Sequence, residues 1–281
     1  LEFKFVCANS LIGLPKNDDQ KSFSEATSDI EILKSLRDDY LRSYGSEKKR
    51  VQKKFLEVQS KMAKHALSWA LWGSEKSQTM KLSQWDPFAE EPCGWFDPEW
   101  MFGADSGFDI VIANPPYVRQ EDIKEFKPAF KEQYECFTGT ADLYVYFYER
   151  SFKLLRDNGI LTFISSNKYF RTGYGEKLRG FLAANGTIHQ LIDFGDAPVF
   201  TAIAYPSIIV LSKAKPLSEG KSRVFSWDPA APTGEFVSRF NAGSFLMLQS
   251  ELKPDGWGLE SVEVLNLLAK LRKAGKPLGE Y

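Results

Sequence analysis

The chain has 281 residues, 43% hydrophobic and 26% charged, with a net charge of −1. That balance suits a soluble globular protein and argues against a strongly basic surface able to grip nucleic acid unaided. Cys7, Cys93 and Cys136 lack CxxC spacing and only His65 and His189 accompany them, so no zinc or other metal site is expected; scattered cysteines fit a reducing, cytoplasmic compartment, and no run approaches the ~18 apolar residues of a membrane span.

Taken in chain order, residues 3–8 read as a buried strand ending at Asn9-Ser10. The chain starts at Leu1 without Met and enters this pattern directly, so it is expected to be an interior piece of a larger protein. Residues 15–24 are polar and turn-like. Thr27 or Ser28 is placed to cap a helix from Asp29, along which Ile30, Leu33, Leu36, Tyr40 and Leu41 recur at helical spacing. Tyr44-Gly45-Ser46 breaks it, and a second helix over 47–71 carries Val51, Phe55, Val58, Met62, Ala66 and Trp69 on one face. Residues 27–72 are thus an antiparallel helical hairpin, its Lys and Arg residues read as a solvated face, with contact to DNA as the alternative. Residues 73–104 form a Trp- and Pro-rich ordered loop.

Phe108–Ala113 is a buried strand that runs into Asn114-Pro115-Pro116-Tyr117. Pro115 pushes Asn114 away from the helical region, and the two prolines fix φ and remove two backbone donors. Asn114 offers an amide that both accepts and donates; Tyr117 offers a ring face. Open α/β sheets bind ligands beyond the carboxyl ends of their strands. An amide, a stiff turn and an aromatic face at such an end suit a planar, hydrogen-bonding ring such as a nucleobase.

Beyond it, residues 118–137 read as a polar flap. A helix over 141–156 ends at Asp157-Asn158-Gly159, followed by a strand over 159–165, a helix over 175–184, and strands over 187–194 and 205–211. The alternation argues for a parallel α/β sheet. After Pro216 only a short strand at Val224-Phe225 and a helix over 258–273 are expected, and 216–281 is read as a linker.

Strand-Asn-Pro-Pro-Tyr resembles the catalytic motif of DNA methyltransferases acting on N6 of adenine. The resemblance implies a truncated doubly wound, Rossmann-like methyltransferase sheet over 1–15 and 105–215, with the hairpin as an insertion. It implies S-adenosylmethionine as cofactor and double-stranded DNA with a flipped adenine as partner. Asn114 and the Pro115 carbonyl would accept the target amine's hydrogen bonds, in a turn shaped by Pro116, and Tyr117 would stack on the base. Residues 141–150, 154–167 and 174–179 resemble the helices and strand that follow in the family's order. Asp193-Phe194-Gly195-Asp196 to Val199-Phe200 resembles the motif on the other side of the base, with Phe200 at its aromatic position; a core or loop role for Phe200 stands beside base contact. Asn9 and Ser10 match the cofactor's adenine-contacting site, where the family usually has Asp; a turn role for Asn9 stands beside it. Phe147 matches a position lining the adenine pocket, on a helix face that favours core packing, and Asn114 faces the cofactor as well.

The family's Gly-rich cofactor loop and ribose-holding acid have no counterpart here. The motif order, cofactor motifs first, would place them before Leu1. The resemblance therefore implies the catalytic half of a large type II restriction-modification or phage-defence enzyme with a target-recognition domain behind, and weak or absent cofactor binding by this piece alone; fused members also carry a nuclease ahead, whose presence here the sequence leaves open. RNA or protein-glutamine methyltransferases share the tetrapeptide and form the alternative, as does a non-catalytic scaffold.

Overall fold

The structure, a computed structural model, describes residues 5–15, 24–70, 78–89, 91–200, 205–260 and 262–276. It divides into two units, Leu1–Gly107 and Phe108–Tyr281.

The first unit is built on the expected hairpin. Helix α1 (Ser24–Arg42) and helix α2 (Gly45–Ala70) are joined where Gly45 takes φ +60°, a left-handed turn that favours glycine. The predicted stripes meet: Leu33 and Tyr40 of α1 are buried with Val51, Phe55 and Met62 of α2. Ala66 and Trp69 lie outside the described side chains. Helix α1 starts before the expected caps Thr27 and Ser28, and Asp29, read as a first-turn charge, is buried against Lys61 of α2 at 2.9 Å. The Trp-rich loop closes this core with Trp85, Trp95 and Trp100, and it contains two short helices, α3 (Gln78–Gln84) and α4 (Pro98–Phe102). Asp97 caps α4 by accepting from Trp100 N, with proline at the first helical position, where its missing N–H costs nothing.

Residues 5–8 do not form the strand expected over 3–8; Phe5 is exposed, and residues 1–4 lie outside the described residues. Single bridges join Ala8 to Cys93 and Gly13 to Phe96, and Leu11 and Leu14 are buried. The apolar run belongs to a loop held on the hairpin's core.

The second unit carries a six-stranded sheet in the order β1-β2-β4-β3-β5-β6. Strand β1 (Phe108–Ala113) is followed by α5 (Lys127–Gln133), α6 (Leu143–Leu154), β2 (Leu155–Ser166), α7 (Glu176–Asn185), β3 (Thr187–Asp193), β4 (Pro206–Ser212), β5 (Lys221–Ser226), α8 (Phe236–Gly243), β6 (Phe245–Leu248) and α9 (Val262–Ala274). Strands β1, β2, β3 and β5 point one way, whereas β4 runs antiparallel between β2 and β3, and β6 runs antiparallel to β5. The expected all-parallel sheet is corrected to a mixed one. Among the described residues no helix separates β3 from β4, and β4 pairs antiparallel with β3.

Four further expectations change. Strand β1 is not buried: it lies at one end of the strand order, with Ile110 59% and Ile112 75% exposed. The 118–137 flap contains α5, whose Phe130 is buried with Tyr134 against Tyr146, at ring distances of 4.5 and 5.4 Å. The boundary at 216 does not divide the sheet. Strand β5 pairs with β3, and Trp257 is buried against Phe170, so the segment read as a linker completes the unit. Strand β2 begins at Leu155, earlier than the expected 159; a Cβ on Gly159 would stand 2.8 Å from the Phe108 carbonyl, so only glycine allows β1 to approach there.

Candidate active site

The carboxyl ends of β1, β2 and β3 and the start of β4 share one edge of the sheet. Ser166 pairs with Pro206 there, and Asp193 with Ser207. The Asn-Pro-Pro-Tyr turn leaves β1 at this edge because the prolines cannot continue the ladder. Pro115 is buried; Asn114, Pro116 and Tyr117 are exposed. Among the described residues the Asn114 amide makes no hydrogen bond within the protein, so its acceptor and donors are free for a ligand.

The chain leaving the turn is tied down at once. Leu143 N donates to Val118 O at 3.0 Å, and Gln120 N donates to Asp142 Oδ1 at 3.2 Å. Asp142 precedes α6, so the turn's far end is fixed to that helix. Beneath it lies a layer of buried tyrosines. The Tyr148 hydroxyl and Ser165 Oγ are 2.7 Å apart, joining α6 to β2. Burial pushes the Tyr148 pKa up, with the nearby Tyr117 adding to the rise. Burial also raises that of Tyr117, which is 42% exposed, so its ring stays neutral.

Phe200, from the segment after β3, meets Tyr117 at a ring-centroid distance of 6.4 Å and an interplanar angle of 62°. Folding thus brings together the two rings that the resemblance sets on opposite faces of a base. Phe147 is half-buried on α6. Asn9 and Ser10 belong to the first unit. There Asn9 Oδ1 accepts from Leu11 N at 3.2 Å and its backbone carbonyl accepts from Ile12 N at 3.1 Å, an Asx turn of the kind weighed against ligand contact.

Two residues at this edge were quoted in the sequence motifs but given no role. Asp193 ends β3, and Asn167 follows β2. Asn167 Nδ2 donates to Asp193 Oδ1 at 2.7 Å. A carboxylate at a strand end followed by Phe-Gly was the available signal; its partner, 26 residues away, is visible only in the fold.

The edge suits an amine and a flat ring: one neutral amide, proline carbonyls and two aromatic faces. It suits the cofactor's ribose diol less well. The carboxylates on and just before α6 are already engaged, Asp142 by Gln120 N and Tyr174 Oη, Glu149 by Glu135 N, Cys136 N and Lys153 Nζ. Among the described residues no cluster of His, Cys, Asp and Glu suits a metal, and no helix is long and apolar enough to cross a membrane.

The second unit is a mixed α/β sheet that carries this turn on its carboxyl edge. The chain belongs to the Eco57I restriction-modification methylase family, whose profile matches residues 6–200. It is 33% identical over 138 residues to the type II methyltransferase M.BstVI of Geobacillus stearothermophilus, covering 44% of this chain and 25% of that protein. It is 32% identical over 111 residues to the type II restriction enzyme and methyltransferase RM.Eco57I of Escherichia coli, covering 38% of this chain and 11% of that protein. The type IIG restriction endonuclease BpuSI superposes with a TM-score of 0.43 at 16% identity, over 64% of this chain and 25% of that chain. The matches span a quarter or less of these relatives' lengths.

Proposed function

We propose that this chain carries the amine-holding face of an adenine-N6 DNA methyltransferase within a restriction-modification enzyme. The observation that supports this most is the pairing of Tyr117 with Phe200 beside an Asn114 amide that has no partner among the described residues. In this reading Asn114 Oδ1 and the Pro115 carbonyl accept from the exocyclic amine of a flipped adenine, Pro116 keeps the turn stiff, and Tyr117 and Phe200 cover the ring's two faces. Accepting both amine protons turns the nitrogen lone pair out of conjugation with the ring and aims it at the methyl donor. S-adenosylmethionine, when bound, supplies an electrophilic methyl group. Phe147 and Asn114 would face it from the second unit. Its ribose diol would be held by residues beyond those described, and DNA affinity and sequence choice would come from a target-recognition module.

The test is methyl transfer from labelled cofactor by the full-length protein to duplex DNA, RNA and protein, with the methylated nucleoside identified. N6-methyladenine from DNA is expected. Asn114→Ala should lower the single-turnover rate by roughly 10²-fold or more, the scale of losing a hydrogen bond made to the reacting group. Product in RNA or protein alone, or an unchanged rate in Asn114→Ala, would reject the assignment.

A further inference from the structure

We propose that Asp193, acting through Asn167, is the positioning residue that sets Phe200 against the target base. The proposal rests on the reading of Phe200 as the base's second face. Asp193 is 5% exposed at the end of β3, yet its carboxylate has three partners. Oδ1 accepts from Asn167 Nδ2 at 2.7 Å and from Gly195 N at 2.9 Å, and Oδ2 lies 3.5 Å from the exposed guanidinium of Arg171. Gly195 takes φ +59°, so the chain turns sharply where the carboxylate holds its amide.

Asn167 grips the other limb of the same loop. Its backbone N donates to Tyr205 O at 2.6 Å, while Phe194 N donates to Pro206 O at 3.0 Å. One residue at the end of β2 therefore holds both bases of the segment that carries Phe200. Inside that neck, Phe194 and Ala197 are buried with Phe225 and Trp227, which fixes the loop's inner half. Phe200 lies beyond this anchored part, toward Tyr117.

The ring geometry gives the latch its use. A base sandwiched between two rings needs about 7 Å between parallel planes, two contacts of about 3.5 Å each. Tyr117 and Phe200 stand at 6.4 Å and 62°, too tilted for a sandwich. A sandwich therefore needs Phe200 turned from the orientation it has here, and the latch fixes the chain at Asp193 and Gly195, from which Phe200 is carried. An aromatic face misplaced by about an ångström leaves the amine off line, a displacement that costs on the order of 10²-fold in rate.

The test is a paired substitution in the full-length protein. Asn167→Asp sets two carboxylates face to face and breaks the latch; adding Asp193→Asn turns an amide NH2 toward the new carboxylate and removes that repulsion, while Gly195 N, which shares Oδ1 with Asn167 in the wild type, loses its acceptor. The readouts are DNA affinity, single-turnover methylation rate and emission of 2-aminopurine at the target position, with circular dichroism as the check of folding. Asn167→Asp is expected to lower the rate roughly tenfold to a hundredfold and change the 2-aminopurine emission, with DNA affinity held within about threefold. The double variant is expected to recover part of the rate and to move the emission back toward the wild-type value, since the contact between residues 167 and 193 returns and the one to Gly195 N does not. Should folded Asn167→Asp keep wild-type rate and emission, or should the folded double variant fail to recover, the latch is overturned. If Asn167→Asp does not fold, the double variant's recovery decides alone. Asn114→Ala serves as the control: an active Asn114→Ala enzyme rejects the functional reading, whereas an inactive one beside a wild-type-like Asn167→Asp rejects only the latch.

Discussion

Arg179 offers the sharpest test of how the second unit is held together. It lies on α7, is 1% exposed, and donates only to backbone carbonyls: Nε to Pro254 O at 2.8 Å, and one terminal nitrogen to Tyr169 O and to Thr172 O. It thereby fastens the turn after β2 to the segment that brings Trp257 into the core. Arg179→Met keeps the stem and removes the donors. The buried Tyr169 carbonyl, left without a partner, costs about 1–3 kcal/mol. The Thr172 and Pro254 carbonyls reach water and cost about 0.5–1 kcal/mol each. The guanidinium's own burial, which lowers its pKa against the pull of Glu176 and Asp255, is relieved and offsets part of this. The net expected loss is about 3 kcal/mol, with the charged hydrogen bonds as the largest component. Urea unfolding followed by tryptophan fluorescence measures it, since Trp257 sits in the fastened segment. A loss below about 0.5 kcal/mol, the range of ordinary surface substitutions, would refute the reasoning.

Gly175→Ala should unfold the same region by another route. Its Cβ would fall 2.3 Å from the Tyr169 carbonyl and 2.8 Å from Arg179, so the backbone must shift, at about 1–3 kcal/mol; thermal unfolding at an unchanged midpoint would contradict this. Stability should fall in alkali. Burial pushes the Tyr146 hydroxyl up to about 12 and raises Tyr148 and Tyr169 as well, while unfolded tyrosines ionise near about 10. The native state thus holds protons that the unfolded state releases, so this stabilisation is complete below pH ~10 and lost as pH climbs toward ~12; a urea midpoint that held or rose over that window would contradict it. Ile112→Lys, on the exposed face of the end strand, should leave the urea midpoint nearly unchanged, and a loss above about 1 kcal/mol would contradict the exposure of that face.

Much of the local structure was legible because its causes are local. The apolar run from Phe108 and the breakers Pro115 and Pro116 set the bounds of β1, which the structure reproduces at Phe108–Ala113. Helical spacing placed Val51, Phe55 and Met62 on one buried face, and Gly45 marked the turn between the two helices. The same local signals misled where tertiary partners decide. The apolar residues before Asn9 read as a strand, yet their neighbour is the Trp-rich loop, joined by a single bridge at Cys93. Val224-Phe225 was seen, but nothing nearby in sequence showed that it would pair with β3.

By itself the sequence determined an α/β chain with a stiff Asn-Pro-Pro-Tyr turn at a strand end, which sets an amide and an aromatic ring close together. Only the tertiary structure placed β1 at the sheet's edge, reversed β4 between β2 and β3, set Phe200 against Tyr117, and joined Asn167 to Asp193. The reason is physical. Turn and helix signals arise from steric limits and side-chain spacing within a few residues. Strand order, register and hydrogen bonds across the sheet depend on which distant segments pair, and that is settled only when the whole core packs.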